Sequence, residues 1–244
     1  MSAAAKHLTP VTLELGGQSP AIVLEGADLR VTARRLVWGK GLNAGQTCIA
    51  PNHLLVQREL KEPLLKELKK TIEDFYGSNP LRSKHLARIV NHQQFQRLRL
   101  LLDSARQKGQ ILVGGEFDER AKRIAPTLLE INDYKDPLME EELFGPLMPI
   151  LTINNFEVAI KAISDKPRPL AIYMFGGTEN EQNMLLSKTS SGGVCFNDVV
   201  MQAGVPELPF GGIGASGMGK YHGEEGFKTF SHSKAILQRP FWLD

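Results

Sequence analysis

Residues 28–57, DLRVTARRLVWGKGLNAGQTCIAPNHLLVQ, contain a helix-like segment, a bend and a strand-like segment in direct succession. Asp28 is a typical N-cap residue, so we predict that a helix begins there and ends in the glycine-bearing stretch 41–45. The apolar run 54–57 predicts a buried strand. Cys48 lies between the two segments, where regular structure stops.

Outward from this stretch, short apolar runs alternate with segments of helical period. The runs that we predict as strands are residues 21–24, 54–57, 111–113, 147–153, 171–175 and 193–196. Helical spacing of apolar residues is clearest in 59–75 and in 91–108, the latter ending at the C-cap residue Gly109. This alternation predicts an α/β fold with a largely parallel sheet flanked by helices.

The composition is that of an ordinary globular protein. The chain has 244 residues, of which 42% are hydrophobic and 23% charged, enough for one substantial core. A net charge of +2 without a dense basic run argues against nucleic acid as a partner. No apolar stretch reaches the ~18 residues of a spanning helix, and the first residues lack a signal-peptide core. We therefore expect a cytoplasmic protein with no membrane-spanning segment.

Three side chains are candidates for a chemical role, judged from their local sequence. Cys48 stands between Gly45 and Pro51, which suits a thiol held on a non-helical corner. Glu14 lies between apolar residues, where burial would raise its pKa and let it accept a proton near neutral pH. Taken singly, each has a commoner explanation: a small buried cysteine, or a glutamate at an exposed strand end. Cys195, in an apolar run, is interpreted as a core thiol, and no metal site is predicted.

Considered together, these segments resemble the aldehyde dehydrogenase superfamily. LELGGQSP and GQTCIAP carry Glu14 and Cys48, which stand 34 positions apart. EELFGP, FND, LPFGG and SGMG follow in the order found in that family, beginning at residues 141, 196, 208 and 216. The run AAAKHLTPVTLELGG and the later GMGKYHGEEGFKTFSH are similar to the class 3 branch, which includes medium-chain, aromatic and fatty aldehyde dehydrogenases. The resemblance covers nearly the whole chain.

The resemblance implies NAD(P)-dependent oxidation of an aldehyde to a carboxylic acid. The Cys48 thiolate would add to the aldehyde, hydride would pass to NAD or NADP, and Glu14 would activate the water that hydrolyses the thioester. The backbone N–H of Cys48 would supply one oxyanion donor. Glu142 would bind the nicotinamide ribose hydroxyls, and Phe144 would pack beside the nicotinamide.

Further contacts are implied on both sides of the reacting centre. Leu15 and Gly16 would touch the nicotinamide through their backbone. Phe210 would wall the aldehyde channel, and Asn197 would lie on the same side, although a loop asparagine is the alternative explanation. The glycine-rich GGIGASGMG lacks the preceding strand of a dinucleotide fingerprint, so we interpret it as a tight structural crossing.

The family comparison also predicts the domain organisation. Residues 1–205 would form the catalytic thiol domain, and residues 206–244 a crossing segment and an oligomerisation arm. The apolar ending 227–237 would extend the sheet of a partner, giving a homodimer of the intact protein. The dinucleotide-binding domain and the second oxyanion donor are expected upstream of this chain, so we expect the chain alone to bind nicotinamide weakly. Two alternatives stay open: a cofactor-independent thiol esterase using Cys48, and a non-catalytic fragment acting in subunit association.

Overall fold

The structure is a computed structural model that describes residues 1–242 and is built on one seven-stranded sheet. The strands are β1 (Leu13–Glu14), β2 (Pro20–Val23), β3 (His53–Gln57), β4 (Ile111–Val113), β5 (Phe117–Asp118), β6 (Arg123–Ile124), β7 (Thr127–Ile131), β8 (Leu147–Ile153), β9 (Ala171–Phe175), β10 (Gly193–Phe196) and β11 (Gly217–Met218). The main sheet has the order β10-β9-β2-β3-β8-β7-β4. All its neighbours are parallel except β4 and β7, which confirms the predicted fold class.

Seven α-helices accompany the sheet in the described part of the chain. They are α1 (Ser2–Ala5), α2 (Leu29–Gly41), α3 (Lys61–Tyr76), α4 (His92–Gln107), α5 (Phe156–Ser164), α6 (Glu179–Lys188) and α7 (Gly223–Thr229). Five of them, α2 to α6, lie between strands in sequence. The predicted start of α2 is confirmed, because the Asp28 side chain accepts a hydrogen bond from the Val31 N–H at 3.0 Å. No helix among the described residues is long and apolar enough to cross a membrane.

The core is formed where apolar strands are covered on both faces. Every residue of β2 and β9 is buried, as expected for central parallel strands. Helix α3 buries the stripe Leu64, Leu68 and Ile72 and leaves its lysines outside. One strand and two helices were not predicted, because their short apolar patterns are ambiguous in sequence. They are β7 at residues 127–131, α5 at 156–164 and α6 at 179–188.

Three segments that carry candidate site residues lead into three adjacent parallel strands. Residues 14–17 precede β2, residues 45–52 precede β3, and residues 141–146 precede β8. Because β2 pairs with β3 and β3 with β8 in parallel, all three segments arrive at the same edge of the sheet. The topology therefore gathers residues that are far apart in sequence.

The glycine-rich stretch 211–219 makes the tight crossing that we predicted. A Cβ added to Gly212 would lie 2.0 Å from the Ser216 carbonyl oxygen, so only glycine fits. The crossing brings β11 beside β1, with Glu14 opposite Gly217 in an antiparallel pair.

The structure places residues 227–229 in a helix, whereas the sequence predicted a strand-like ending at 227–237. Phe227 belongs to α7, and no strand is assigned to the described residues beyond that helix. Residues 230–242 are exposed, including Phe230, Ile236 and Trp242. An arm that extends a partner's sheet pairs with a strand of that partner, so the role of residues 230–237 stays a prediction.

Candidate active site

The backbone before Cys48 is bent by residues in the left-handed region. Asn43, Ala44 and Gly45 have φ angles of 50°, 53° and 75°. Gly45 also packs so closely that a Cβ there would lie 2.2 Å from the Gly145 carbonyl oxygen, which ties the bend to the segment entering β8. This bend ends α2 and redirects the chain towards β3.

Cys48 occupies the second position of a four-residue turn. The turn is closed by a hydrogen bond from the Ala50 N–H to the Thr47 carbonyl at 2.9 Å. Cys48 itself is half-buried, whereas Ile49 and Ala50 behind it are buried. The thiol is thus presented on a rigid corner, as the sequence predicted.

The Cys48 thiol lies within electrostatic range of the Glu14 carboxylate. Burial and, after it, the negative charges of Glu14 and Glu142 together raise the pKa of Cys48 to about 12. The backbone N–H of Cys48 opposes this shift. At neutral pH the resting site therefore holds a neutral thiol beside a base.

Glu14 reaches the thiol because β1 is fixed against β11. The Leu15 N–H continues this pairing by donating to the Ser216 carbonyl at 3.1 Å. Glu14 is exposed, so the expectation that it is buried is wrong for this chain. The strand β1 has only two residues and lies outside the main sheet, which leaves its carboxylate open to solvent.

Glu142 lies across the two glycines that follow Glu14. Its Oε2 accepts a hydrogen bond from the Gly17 N–H at 3.1 Å. A Cβ on Gly16 would lie 1.9 Å from the same oxygen, so Gly16 leaves the space that this carboxylate fills. Burial raises the pKa of Glu142, while the Gly17 N–H, Lys40 and Arg97 oppose the rise.

The surroundings of Glu142 suit a nicotinamide nucleoside. Phe144, two residues on, is 38% exposed, and Leu15 is 48% exposed, so an aromatic face and an apolar side chain lie open to solvent near an acceptor for hydroxyl groups. These residue types fit the sugar and ring of NAD or NADP, as the resemblance implied.

Phe210 joins the site through Tyr221. The backbones of these two residues exchange hydrogen bonds of 2.7 and 2.8 Å, and their rings meet edge to face with centroids 5.6 Å apart. The pKa of Tyr221 is raised by burial, and also by the charges of Glu14 and Cys48. Phe210 therefore lies one aromatic residue from the reactive pair.

Asn197 is not brought to this group. It follows the carboxyl end of β10, the opposite edge of the sheet from the segments that carry Cys48 and Glu142. Its Oδ1 accepts from the Gly176 N–H at 3.0 Å, and its carbonyl accepts from Arg35. These contacts match a loop asparagine, so the structure does not support the substrate-channel role that we predicted for it.

Sequence reasoning missed two buried polar residues close to the site. Lys40, in the last turn of α2, is 5% exposed, and burial lowers its pKa to about 7 while the charge of Glu142 opposes this. Tyr173 is fully buried in β9 and donates a hydrogen bond to the Ile49 carbonyl at 2.6 Å. The available signal was a polar group within an apolar run, which must find a partner when buried.

Metal ligands are not clustered in the described part of the chain. Within residues 1–242, no group of three or more His, Cys, Asp or Glu side chains could hold a metal ion.

Comparison with known proteins identifies the family of this chain. The sequence model of the aldehyde dehydrogenase family matches residues 1–236. The chain is 46% identical over 237 residues to "Aldehyde dehydrogenase, dimeric NADP-preferring" of Rattus norvegicus, which covers 97% of this chain and 51% of that protein. It is 48% identical over 238 residues to aldehyde dehydrogenase family 3 member A2 of Mus musculus, covering 97% and 48%.

A solved structure gives the same result. The substrate-bound state of Staphylococcus aureus AldH superposes with a TM-score of 0.96 at 44% identity, covering all of this chain and 53% of that one. The chain belongs to the aldehyde dehydrogenase family. Its relatives place it in the class 3 branch, as the motifs indicated, and it spans about half the length of the curated relatives it matches.

Proposed function

We propose that this chain carries the thiol site for NAD(P)-dependent oxidation of an aldehyde to a carboxylic acid. The observation that carries the proposal is the placement of the Cys48 turn within electrostatic range of two carboxylates, Glu14 and Glu142, the second of which is held by the Gly17 N–H. A nucleophile, a base and a hydroxyl-binding group meet at one edge of the sheet, which is the set this chemistry needs.

The residues of the chain account for the steps on sulfur. As the Cys48 sulfur bonds to the aldehyde carbon, its proton passes to Glu14 or to water, and the carbonyl oxygen becomes an oxyanion near the Cys48 N–H. The bound nicotinamide supplies an acceptor for the hydride that leaves this adduct. After any proton taken from the thiol has left Glu14 for solvent, Glu14 takes a proton from the water that attacks the thioester carbon. It returns this proton to the Cys48 sulfur as the carbon–sulfur bond breaks and the carboxylic acid leaves.

Glu142 and Phe144 would hold the nicotinamide nucleoside. The Gly17 N–H fixes one oxygen of the Glu142 carboxylate, so the group is oriented before a hydroxyl binds. We expect equilibrium binding of NAD and NADP to depend on Glu142.

Apolar residues near Phe210 support a hydrophobic aldehyde as the substrate. Leu208 and Ile213, which are close to Phe210 in sequence, are 45% and 40% exposed. A series of straight-chain and aromatic aldehydes would test this, with kcat/KM rising with chain length if the proposed fatty aldehyde preference holds.

A second copy of the chain is the proposed partner of the C-terminal segment. Phe227, Phe230 and Trp242 are 75%, 83% and 81% exposed, and such apolar exposure favours association. Light scattering of the chain, with and without residues 230–244, would show whether a dimer forms and whether it needs this segment. Because both cysteines are free, a reducing cytoplasmic location is part of the proposal.

One assay panel tests the catalytic proposal against its alternatives. Aldehyde-dependent reduction of NAD or NADP, abolished in Cys48→Ala and retained in Cys195→Ala, would support it. Hydrolysis of p-nitrophenyl acetate that needs Cys48 but no nicotinamide, without aldehyde oxidation, would identify a thiol esterase instead. Turnover indifferent to Cys48 in both assays would contradict both catalytic functions and leave the non-catalytic fragment.

A further inference from the structure

Tyr173 places a hydroxyl group directly beneath the turn that carries Cys48. Its side chain is 0% exposed, and its O–H donates to the carbonyl of Ile49 at 2.6 Å. Its oxygen accepts from the Gln202 amide at 3.2 Å. Burial raises the pKa of Tyr173, so the phenol stays protonated and remains a donor.

Two peptide planes connect that hydroxyl to the backbone N–H of Cys48. The Ile49 carbonyl belongs to the same planar unit as the Ala50 N–H. That N–H donates to the Thr47 carbonyl at 2.9 Å, and this carbonyl shares its plane with the Cys48 N–H. A tilt of the first plane therefore changes the direction of the second.

The far end of this connection is the group that acts on substrate. The Cys48 N–H belongs to the same residue as the sulfur that would bond to the acyl carbon, so it lies close to the oxygen on which charge would develop. The Tyr173 hydroxyl is the hydrogen-bond donor found for the Ile49 carbonyl among the described residues. Since Ile49 is only 4% exposed, water does not readily replace this donor.

We propose that Tyr173 is a positioning residue, whose bond to the Ile49 carbonyl aims the Cys48 N–H at the developing oxyanion. The action of the Cys48 N–H on an oxyanion rests on the proposed function. The backbone anchor, which is the hydrogen bond from Tyr173 to the Ile49 carbonyl, does not. Gln202 assists by holding the phenol oxygen from the opposite side. Loss of the hydroxyl leaves the buried Ile49 carbonyl without a hydrogen-bond donor. Because an unsatisfied buried carbonyl is costly, we expect the turn to tilt.

The experiment compares two reactions of the same thiol. Acylation by p-nitrophenyl acetate passes through a tetrahedral oxyanion, whereas alkylation by iodoacetamide at Cys48 does not. In Tyr173→Phe we expect acylation of Cys48 to slow about tenfold, below the ~100-fold for complete loss of a donor, and alkylation to change less than twofold. Parallel slowing of both reactions, or unchanged acylation, overturns the proposal.

Tyr134→Phe is the matched control. It also removes a half-buried phenol oxygen, but this hydroxyl pairs with His53 Nε2 at 3.0 Å and not with the Cys48 turn. Both reaction rates should stay within twofold of the parent chain. If acylation falls equally in both variants, the effect belongs to general loss of a buried hydrogen bond and the proposal fails.

Amide hydrogen exchange separates this proposal from the proposed function. The Ala50 N–H should exchange at least tenfold faster in Tyr173→Phe and at the parent rate in Tyr134→Phe. A parent chain that shows no acylation would defeat the proposed function, while unchanged Ala50 exchange would still overturn the anchor. If Tyr173→Phe does not fold, Gln202→Met keeps the phenol but removes its donor, and acylation should slow about threefold with alkylation unchanged. Unchanged acylation in that variant also overturns the proposal.

Discussion

The charge of Glu14 raises the pKa of the Cys48 thiol, yet Glu14 is held not in the main sheet but in a two-residue strand paired with the glycine crossing. The nucleophile and its base are therefore attached to different supports. Cys48 depends on the turn before β3, and Glu14 depends on the pairing of β1 with β11. Reactivity of the thiol should respond to changes in either support.

Glu14→Gln should change thiol reactivity and ester turnover in opposite directions. Removing the charge and the ionised acceptor lowers the pKa of Cys48 from about 12. Each unit of decrease gives about tenfold more thiolate at pH 8, offset about threefold by lower nucleophilicity. Alkylation by iodoacetamide should therefore accelerate about threefold per unit, while steady-state ester hydrolysis falls about 100-fold with loss of the base.

Glu73→Gln is the control for this prediction. Glu73 is exposed on α3, and both rates should stay at the parent level. A Glu14→Gln chain in which alkylation also slows would show that the carboxylate does not suppress the thiolate.

Gly16→Ala should imitate Glu142→Gln in nicotinamide binding without unfolding the protein. The added methyl group would meet the end of the flexible Glu142 side chain, with Oε2 at 1.9 Å, so the carboxylate swings away and the backbone stays. Loss of hydrogen bonds to a charged group costs about 1.5–3 kcal/mol, so affinity should fall roughly 10-fold to 100-fold in both variants. Calorimetry with NAD and NADP measures this affinity. Glu140→Gln, which changes a neighbouring exposed carboxylate, should bind as the parent does.

Gly212→Ala should destabilise the protein because the added methyl group would collide with backbone atoms. The new Cβ would lie 2.0 Å from the Ser216 carbonyl oxygen, and the crossing has no flexible atom to move. We expect the free energy of unfolding in urea to fall by about 3 kcal/mol. Alkylation of Cys48 should also accelerate, because the displaced crossing no longer holds Glu14. Gly204→Ala, where a Cβ meets nothing within 4 Å, should change stability by less than about 0.5 kcal/mol.

The sequence predicted those parts of the fold that local patterns determine. Short apolar runs identified six strands of the main sheet, period-3.6 apolar spacing identified α3 and α4, and an Asp at the N-cap located the start of α2. The sequence could not supply the strand order, because the pairings of β9 with β2 and of β3 with β8 join segments more than 90 residues apart. Non-local pairing depends on the whole core and leaves no local signal.

The same limit applies to the site. Ordered motifs were enough to select Cys48, Glu14 and Glu142, which the structure brings to one sheet edge. Asn197 was chosen by its motif, yet its position at the other edge follows from the direction of β10. Tyr173 was missed because an aromatic residue in an apolar strand is read as core, and only the three-dimensional path of the chain places its hydroxyl under the Cys48 turn.

His53 should make the stability of the fold depend on acid. It is 2% exposed at the start of β3, and burial lowers its pKa from 6.5 to about 3, with the positive charges of Lys40 and Lys166 acting in the same direction. At pH values between about 3 and 6.5, the His53 imidazole binds a proton in the unfolded chain but not in the folded chain. Stability is therefore complete above pH 6.5 and is lost as the pH falls towards 3.

One such proton contributes a slope of about 1.4 kcal/mol per pH unit in that window. Urea unfolding at several pH values between 4 and 7.5 should show that His53→Gln lowers the slope by this amount, whatever its effect on absolute stability. His85→Gln removes an exposed imidazole and should leave the slope unchanged. Equal slopes for the parent chain and His53→Gln would mean that the buried imidazole accepts its proton without unfolding. This would happen if water reached Nδ1, the ring nitrogen for which no hydrogen-bond partner is found among the described residues.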